Sequence, residues 1–99
     1  MKKIQQQSVD VAFERGEVQE VEVVRKSDRE WYFTFTAEEP ISGKPVQFTL
    51  LTQQGELRTW ADPRRLFRFL SERGVRKGTF ILNEDDDDVR TSDESSKES

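Results

Sequence analysis

The chain of 99 residues contains no cysteine and no histidine. The first absence excludes a disulfide framework, a thiol nucleophile and a thiolate metal site. The second removes the commonest general base and the commonest transition-metal ligand. No run approaches the roughly 18 apolar residues of a membrane-spanning helix. Met1-Lys2-Lys3-Ile4-Gln5-Gln6-Gln7 has basic residues but lacks the apolar stretch of a secretory signal. There is no phosphate-binding glycine loop, no serine elbow and no pair of helical carboxylates. Asp85–Asp88 lacks the Asp/Asn/Gly spacing of a calcium loop. From these absences we expect a non-enzyme with no cofactor, no metal and no membrane partner.

What the chain does have is charge, at 36% of residues against 32% apolar. The core is lean for one small domain, so part of the chain is expected to lie outside the fold. Residues 84–99 hold eight acidic side chains against two basic ones, with Val89 as their one apolar residue. Such a segment cannot offset the entropy of ordering its backbone, roughly 1–2 kcal/mol per residue. The expected division is a domain over 1–83 and a disordered acidic tail over 84–99. The opposite charge is concentrated at 58–77, where seven basic residues face Asp62 and Glu72. Such a tail reads first as a solubilising, self-repelling end; in the sharper reading, a flexible tether would hold Asp85–Asp88 at high local concentration near those arginines, in competition with any polyanion.

Patterning predicts the elements. Val9, Val11 and Phe13 alternate with Asp10 and Ala12, a strand pattern, and Gly16 suits the turn that follows. Val18–Arg25 is rich in β-branched residues. Trp31-Tyr32-Phe33-Thr34-Phe35-Thr36 is the strongest strand signal, with Trp31, Phe33 and Phe35 on one face. A loop follows at 38–45, then a strand over Val46–Leu51, a turn at Gln53–Glu56 and a short strand to Trp60. Asp62 then reads as an N-cap with Pro63 at the first helical position, and Gly74 as the stop of a helix over Pro63–Arg73. Thr79–Leu82 is the last strand. The expected fold class is α+β: a mostly antiparallel sheet of five to six strands with one amphipathic helix on one face. Leu66, Phe67 and Leu70 should face Trp31, Phe33, Phe35, Val46, Phe48 and Leu50.

The helix carries the candidate site. Arg64 and Arg68 lie opposite its apolar arc, with Arg65 beside them and Arg58 on the strand leading in. Arg64 and Arg65 stand in the first turn, where cations oppose the helix dipole. An anion there would meet backbone N–H groups and guanidinium forks together. The plainer reading is a solvated helix face with an Arg68–Glu72 pair. Aromatic residues beside basic ones also suit base stacking, but Trp31, Phe33 and Phe35 are better explained as core. Tyr32, Thr34, Gln47 and Thr49 should share the opposite face with Glu20 and Glu22, whose charge is hostile to nucleic acid.

The stretch Gly55–Asp62 through Gly74-Val75 to Phe80, preceded by the aromatic strand Trp31–Phe35, resembles the partition-associated ParC family of small plasmid-borne proteins. That resemblance implies a bacterial cytoplasmic accessory protein of a plasmid or integrated element, without catalysis, and transfers no functional residue. Trp31-Tyr32-Phe33-Thr34-Phe35, then Ser42-Gly43-Lys44, a strand and a helix, is similar in architecture to the arm-binding domain of tyrosine integrases. There the exposed sheet face reads the major groove, a role at odds with Glu20 and Glu22 here. The expected function is that of a partition- or maintenance-associated protein that binds a partner protein or nucleoprotein complex through Arg58, Arg64, Arg65 and Arg68. The alternatives are direct nucleic-acid binding through helix 63–73 and a homodimeric scaffold in which a bare sheet face or an edge strand pairs with its twin.

Overall fold

The computed structural model describes residues 1–83, so the acidic tail expected at 84–99 lies outside the described residues. Five strands and two helices follow in the order β1 (Lys2–Ile4), α1 (Gln6–Glu14), β2 (Val18–Ser27), β3 (Glu30–Glu38), β4 (Pro45–Leu50), α2 (Pro63–Glu72) and β5 (Thr79–Ile81). The fold is α+β, as the patterning predicts, with two corrections. The segment expected as a first strand is helix α1, and a three-residue strand precedes it. The short strand expected before Trp60 is reduced to isolated bridges, Leu51 to Leu57 and Trp31 to Trp60.

The reason for α1 lies in Val9, Ala12 and Phe13. The first two are buried and the third partly so, a spacing of three and four that fits one helical face. Val11, which the alternating pattern needed inside, is exposed. The five residues Val9–Phe13, apolar except for Asp10, satisfy both periods, and packing decides between them.

The sheet runs β1-β4-β3-β2-β5. Its centre, β4-β3-β2, is an antiparallel meander. Both outer strands join in parallel, β1 to β4 and β5 to β2. Strand β3 therefore runs against the other four, and the sheet is mostly but not purely antiparallel. Two parallel crossovers result, β1-α1-β2 and β4-α2-β5, and both travel the same way across the sheet. Crossovers of this kind are right-handed almost without exception, so both helices fall on one face. There Val9, Ala12, Leu66 and Leu70 close over Val21, Val23, Phe33, Phe35 and Leu50. Register places Phe33 opposite Val23, and Phe35 opposite both Val21 and Phe48. The opposite face is polar as expected: Glu22 accepts hydrogen bonds from Thr34 Oγ1 at 3.2 Å and Gln47 Nε2 at 3.0 Å.

The entry to β5 depends on a close approach. A Cβ at Gly78 would stand 2.7 Å from the Val21 carbonyl oxygen, so any side chain there would force β5 off β2. Upstream, Gly74 ends α2 at φ 89°, the left-handed geometry that glycine adopts without strain.

Candidate functional site

Helix α2 begins as its sequence dictates. Asp62 Oδ1 accepts the Arg64 backbone N–H at 2.9 Å, and Pro63 occupies the first turn, where no intrahelical donor is needed. Leu66 and Leu70 point into the core. Phe67, expected under the helix, is instead 38% exposed at its flank and meets Phe80 of β5 edge-on, with ring centroids 5.7 Å apart. The boundary of the apolar arc is set by where β5 ends, which helical periodicity does not encode.

The four candidate arginines are not brought to one point. Arg64 folds back on the cap: its Nε donates to Asp62 Oδ1 at 3.2 Å and its Nη2 to Oδ2 at 3.0 Å. These side-chain bonds, followed by the backbone bond, hold the Asp62 carboxyl below the usual carboxylate range. The same bonds raise the Arg64 guanidinium above its ordinary value. The conflict expected between first-turn cations and the helix dipole is thus answered internally at Arg64, and an incoming anion would have to displace Asp62. Arg58 lies elsewhere. Its guanidinium stacks 4.5 Å from the Trp60 ring centroid and borders an open cleft beside Gln5, Gln6, Gln7 and Asp10.

Arg65 and Arg68 remain. Both are exposed on the outer side of α2, and neither forms an ion pair among the described residues; the expected Arg68–Glu72 pair is absent among them. Their guanidinium groups carry positive charge and only donate hydrogen bonds. They can hold carboxylates or phosphates but cannot relay protons. Trp60, two residues before the cap, lies between Phe33 and Phe69 at centroid distances of 6.1 and 5.3 Å.

Sequence reasoning missed the role of Arg73. Counted only as part of the basic segment, it joins the two helices: Nε donates to Asp10 Oδ1 at 2.6 Å, Nη1 donates to the Phe69 carbonyl at 2.9 Å, and the guanidinium lies 3.6 Å from the Phe69 ring centroid. Beyond it, Arg76 and Lys77 line an open cleft of about 500 Å³ between the α2–β5 loop and the start of β2. Among the described residues, no group of three or more His, Cys, Asp or Glu side chains could hold a metal ion, and no helix is long and apolar enough to cross a membrane. Comparison with protein families, curated proteins and solved structures gives no match.

The cap makes a direct prediction. Asp62→Ala should lower the melting temperature, whereas Asp62→Asn, which keeps the acceptor, should retain most of it. Because the folded-state pKa of Asp62 is depressed, its contribution is present above the ordinary carboxylate range and is lost as pH falls through the folded value. The difference between wild type and Asp62→Ala should therefore shrink in acid, as thermal melts at two pH values would show.

Proposed function

We propose that this chain is a non-catalytic accessory protein of a bacterial plasmid or integrated element. In this reading it engages an acidic segment of a partner protein or nucleoprotein complex on the outer face of α2. The observation that carries the reading is the pair Arg65 and Arg68: exposed, adjacent on one helix face, and without an ionic partner among the described residues. Arg64 joins them once its fork is exchanged from Asp62 to a ligand carboxylate. The resemblance to partition-associated proteins supports the genetic setting. A protein partner is favoured over duplex DNA because the polar sheet face carries Glu22, with Glu20 two residues before it in the same strand.

The test is a chemical-shift titration of the full chain with an Asp/Glu-rich peptide and, separately, with short oligonucleotides. Acidic peptide should move the amides of 64–68, and Arg65→Ala with Arg68→Ala should weaken binding by roughly tenfold. A preference for oligonucleotide with a steep logarithmic salt dependence would assign nucleic acid instead. Amides 64–68 unmoved by either ligand would remove the proposal.

A further inference from the structure

A groove of about 300 Å³ runs between α2 and β5 on the helix-bearing face of the sheet. Val21 and Val23 of β2 form its floor, Phe67 and Leu70 line it from α2, and Phe80 lines it from β5. Register with Val23 places Phe80 on this face. The Phe67 and Phe80 rings meet edge-on without sealing the groove: Phe67 is 38% exposed and Phe80 55%. Two large aromatic side chains standing together in solvent, beside an aliphatic floor, form an apolar surface that the described fold leaves uncovered.

The groove has a sign as well as a shape. Arg76 and Lys77, on the loop between α2 and β5, both line it, and no carboxylate does. Neither has an ion pair among the described residues, and Arg68, next to Phe67 in α2, is likewise without one. The larger cleft on the far side of the same loop differs, since Glu20 lines it together with Arg76 and Lys77. In a chain whose formal net charge is −4, the groove is an apolar slot with unpaired cations on two sides. Such a slot attracts a ligand of opposite charge.

These features select the occupant. Its volume, at the lower end of the range for ligand cavities, suits one large side chain. Cations on two sides match several acids spread around one apolar group, which a peptide supplies and a single-headed amphiphile does not. A nucleobase binds by stacking on an aromatic face. Here the Phe67 and Phe80 ring planes stand at 84°, so they offer no parallel pair of faces, and the floor is aliphatic. We infer that the α2–β5 groove is the docking slot for the apolar anchor of an acidic peptide segment in a partner protein. An aliphatic side chain such as leucine enters beside Phe67 and Phe80, and flanking carboxylates accept from Arg76 and Lys77 on one side and Arg68 on the other. The inference rests on the acidic-partner reading above and adds to it the anchor, its slot and the two loop cations.

Calorimetric titration and chemical-shift mapping of the full chain compare two synthetic peptides. One is an Asp/Glu-rich sequence with a single central leucine; the other has serine in its place. The leucine peptide should bind about tenfold more tightly, as truncation of a buried anchor at an interface implies. It should also shift the resonances of Phe67, Val75 and Phe80. Arg76→Ala with Lys77→Ala should weaken its binding by roughly tenfold. Phe67→Ala should erase the preference for leucine, with amide dispersion checking that the variant is folded. Equal affinity for the two peptides, lost with Arg65→Ala and Arg68→Ala, overturns the groove and leaves the outer face of α2 as the site. Binding of neither peptide overturns both readings. A single-stranded oligonucleotide that binds more tightly than the leucine peptide and shifts the same resonances overturns the choice of a peptide. In the free chain, Phe67 and Phe80 shifts that change on dilution would seat a second copy in the groove. Nuclear Overhauser contacts from the Val89 methyl groups to those rings would seat the chain's own tail there. Either result overturns the inference.

Discussion

Phe33→Ala is expected to lower the free energy of unfolding by about 3–5 kcal/mol, the usual cost of emptying a buried aromatic site. Phe33 is fully buried on the central strand β3. Its ring sits among Phe35, Trp60 and Phe69, at centroid distances of 6.3, 6.1 and 5.7 Å, and so joins the sheet, the approach to α2 and α2 itself. No neighbouring element can collapse into the space without breaking register: the Phe33 carbonyl accepts from Thr49 Oγ1 at 2.8 Å, and the residue is held opposite Val23. Small domains have about 5–15 kcal/mol in total, so this one truncation should remove a large share. Phe33→Leu, which keeps most of the volume, should cost less than about 1.5 kcal/mol. Phe67→Ala serves as the control, since its ring lies at the flank of α2, partly in solvent. Urea titration read by tryptophan fluorescence measures all three through the midpoint at constant slope. A Phe33→Ala loss no larger than that of Phe67→Ala would contradict the assigned core.

The contrast between Phe33 and Phe67 shows what could be read from the chain and what could not. The meander and α2 are legible because their signals are local. Six consecutive strand formers define β3, and Asp62-Pro63 and Gly74 mark the two ends of α2 within the helix's own sequence. Strand β1 has no such signal. Ile4 is its one apolar residue, and it exists because Lys2 and Ile4 align with Phe48 and Leu50, far along the chain. Helix α1 was obscured for a different reason: Val9 to Phe13 fits both periods, and the choice depends on Ala12 having a core to enter. With α1 misread, the β1-α1-β2 crossover vanishes and so does the parallel pairing of β1 with β4. At the site, the outward direction of Arg65 and Arg68 follows from helical geometry. The fork of Arg64 on Asp62 and the stacking of Arg58 on Trp60 depend on side-chain conformations that spacing does not specify.

Arg73 brings the second large effect, and here the question is which part of the fold comes loose. Helix α1 buries only Val9 and Ala12 fully, so its hold on the sheet is small for nine residues. Its polar tie to α2 is the bond from Arg73 to Asp10. The Arg73 side chain is 17% exposed, and its three contacts share one guanidinium, so Arg73→Ala removes them together. The expected loss is about 2–3 kcal/mol, typical for hydrogen bonds of a charged group with its packing. Asp10→Ala should cost less, because Asp10 is half in solvent and Arg73 would keep the Phe69 carbonyl and ring. In a double-mutant cycle the two should couple by about 0.5–1.5 kcal/mol. Hydrogen exchange supplies the readout that a general loss of stability would not give. If Arg73 fastens α1, amides of Gln6–Glu14 should lose protection first in Arg73→Ala while those of β3 still exchange by global unfolding. Equal loss across α1 and β3 would mean that α1 is held by its apolar face alone, and the guanidinium would then belong to the cap of α2.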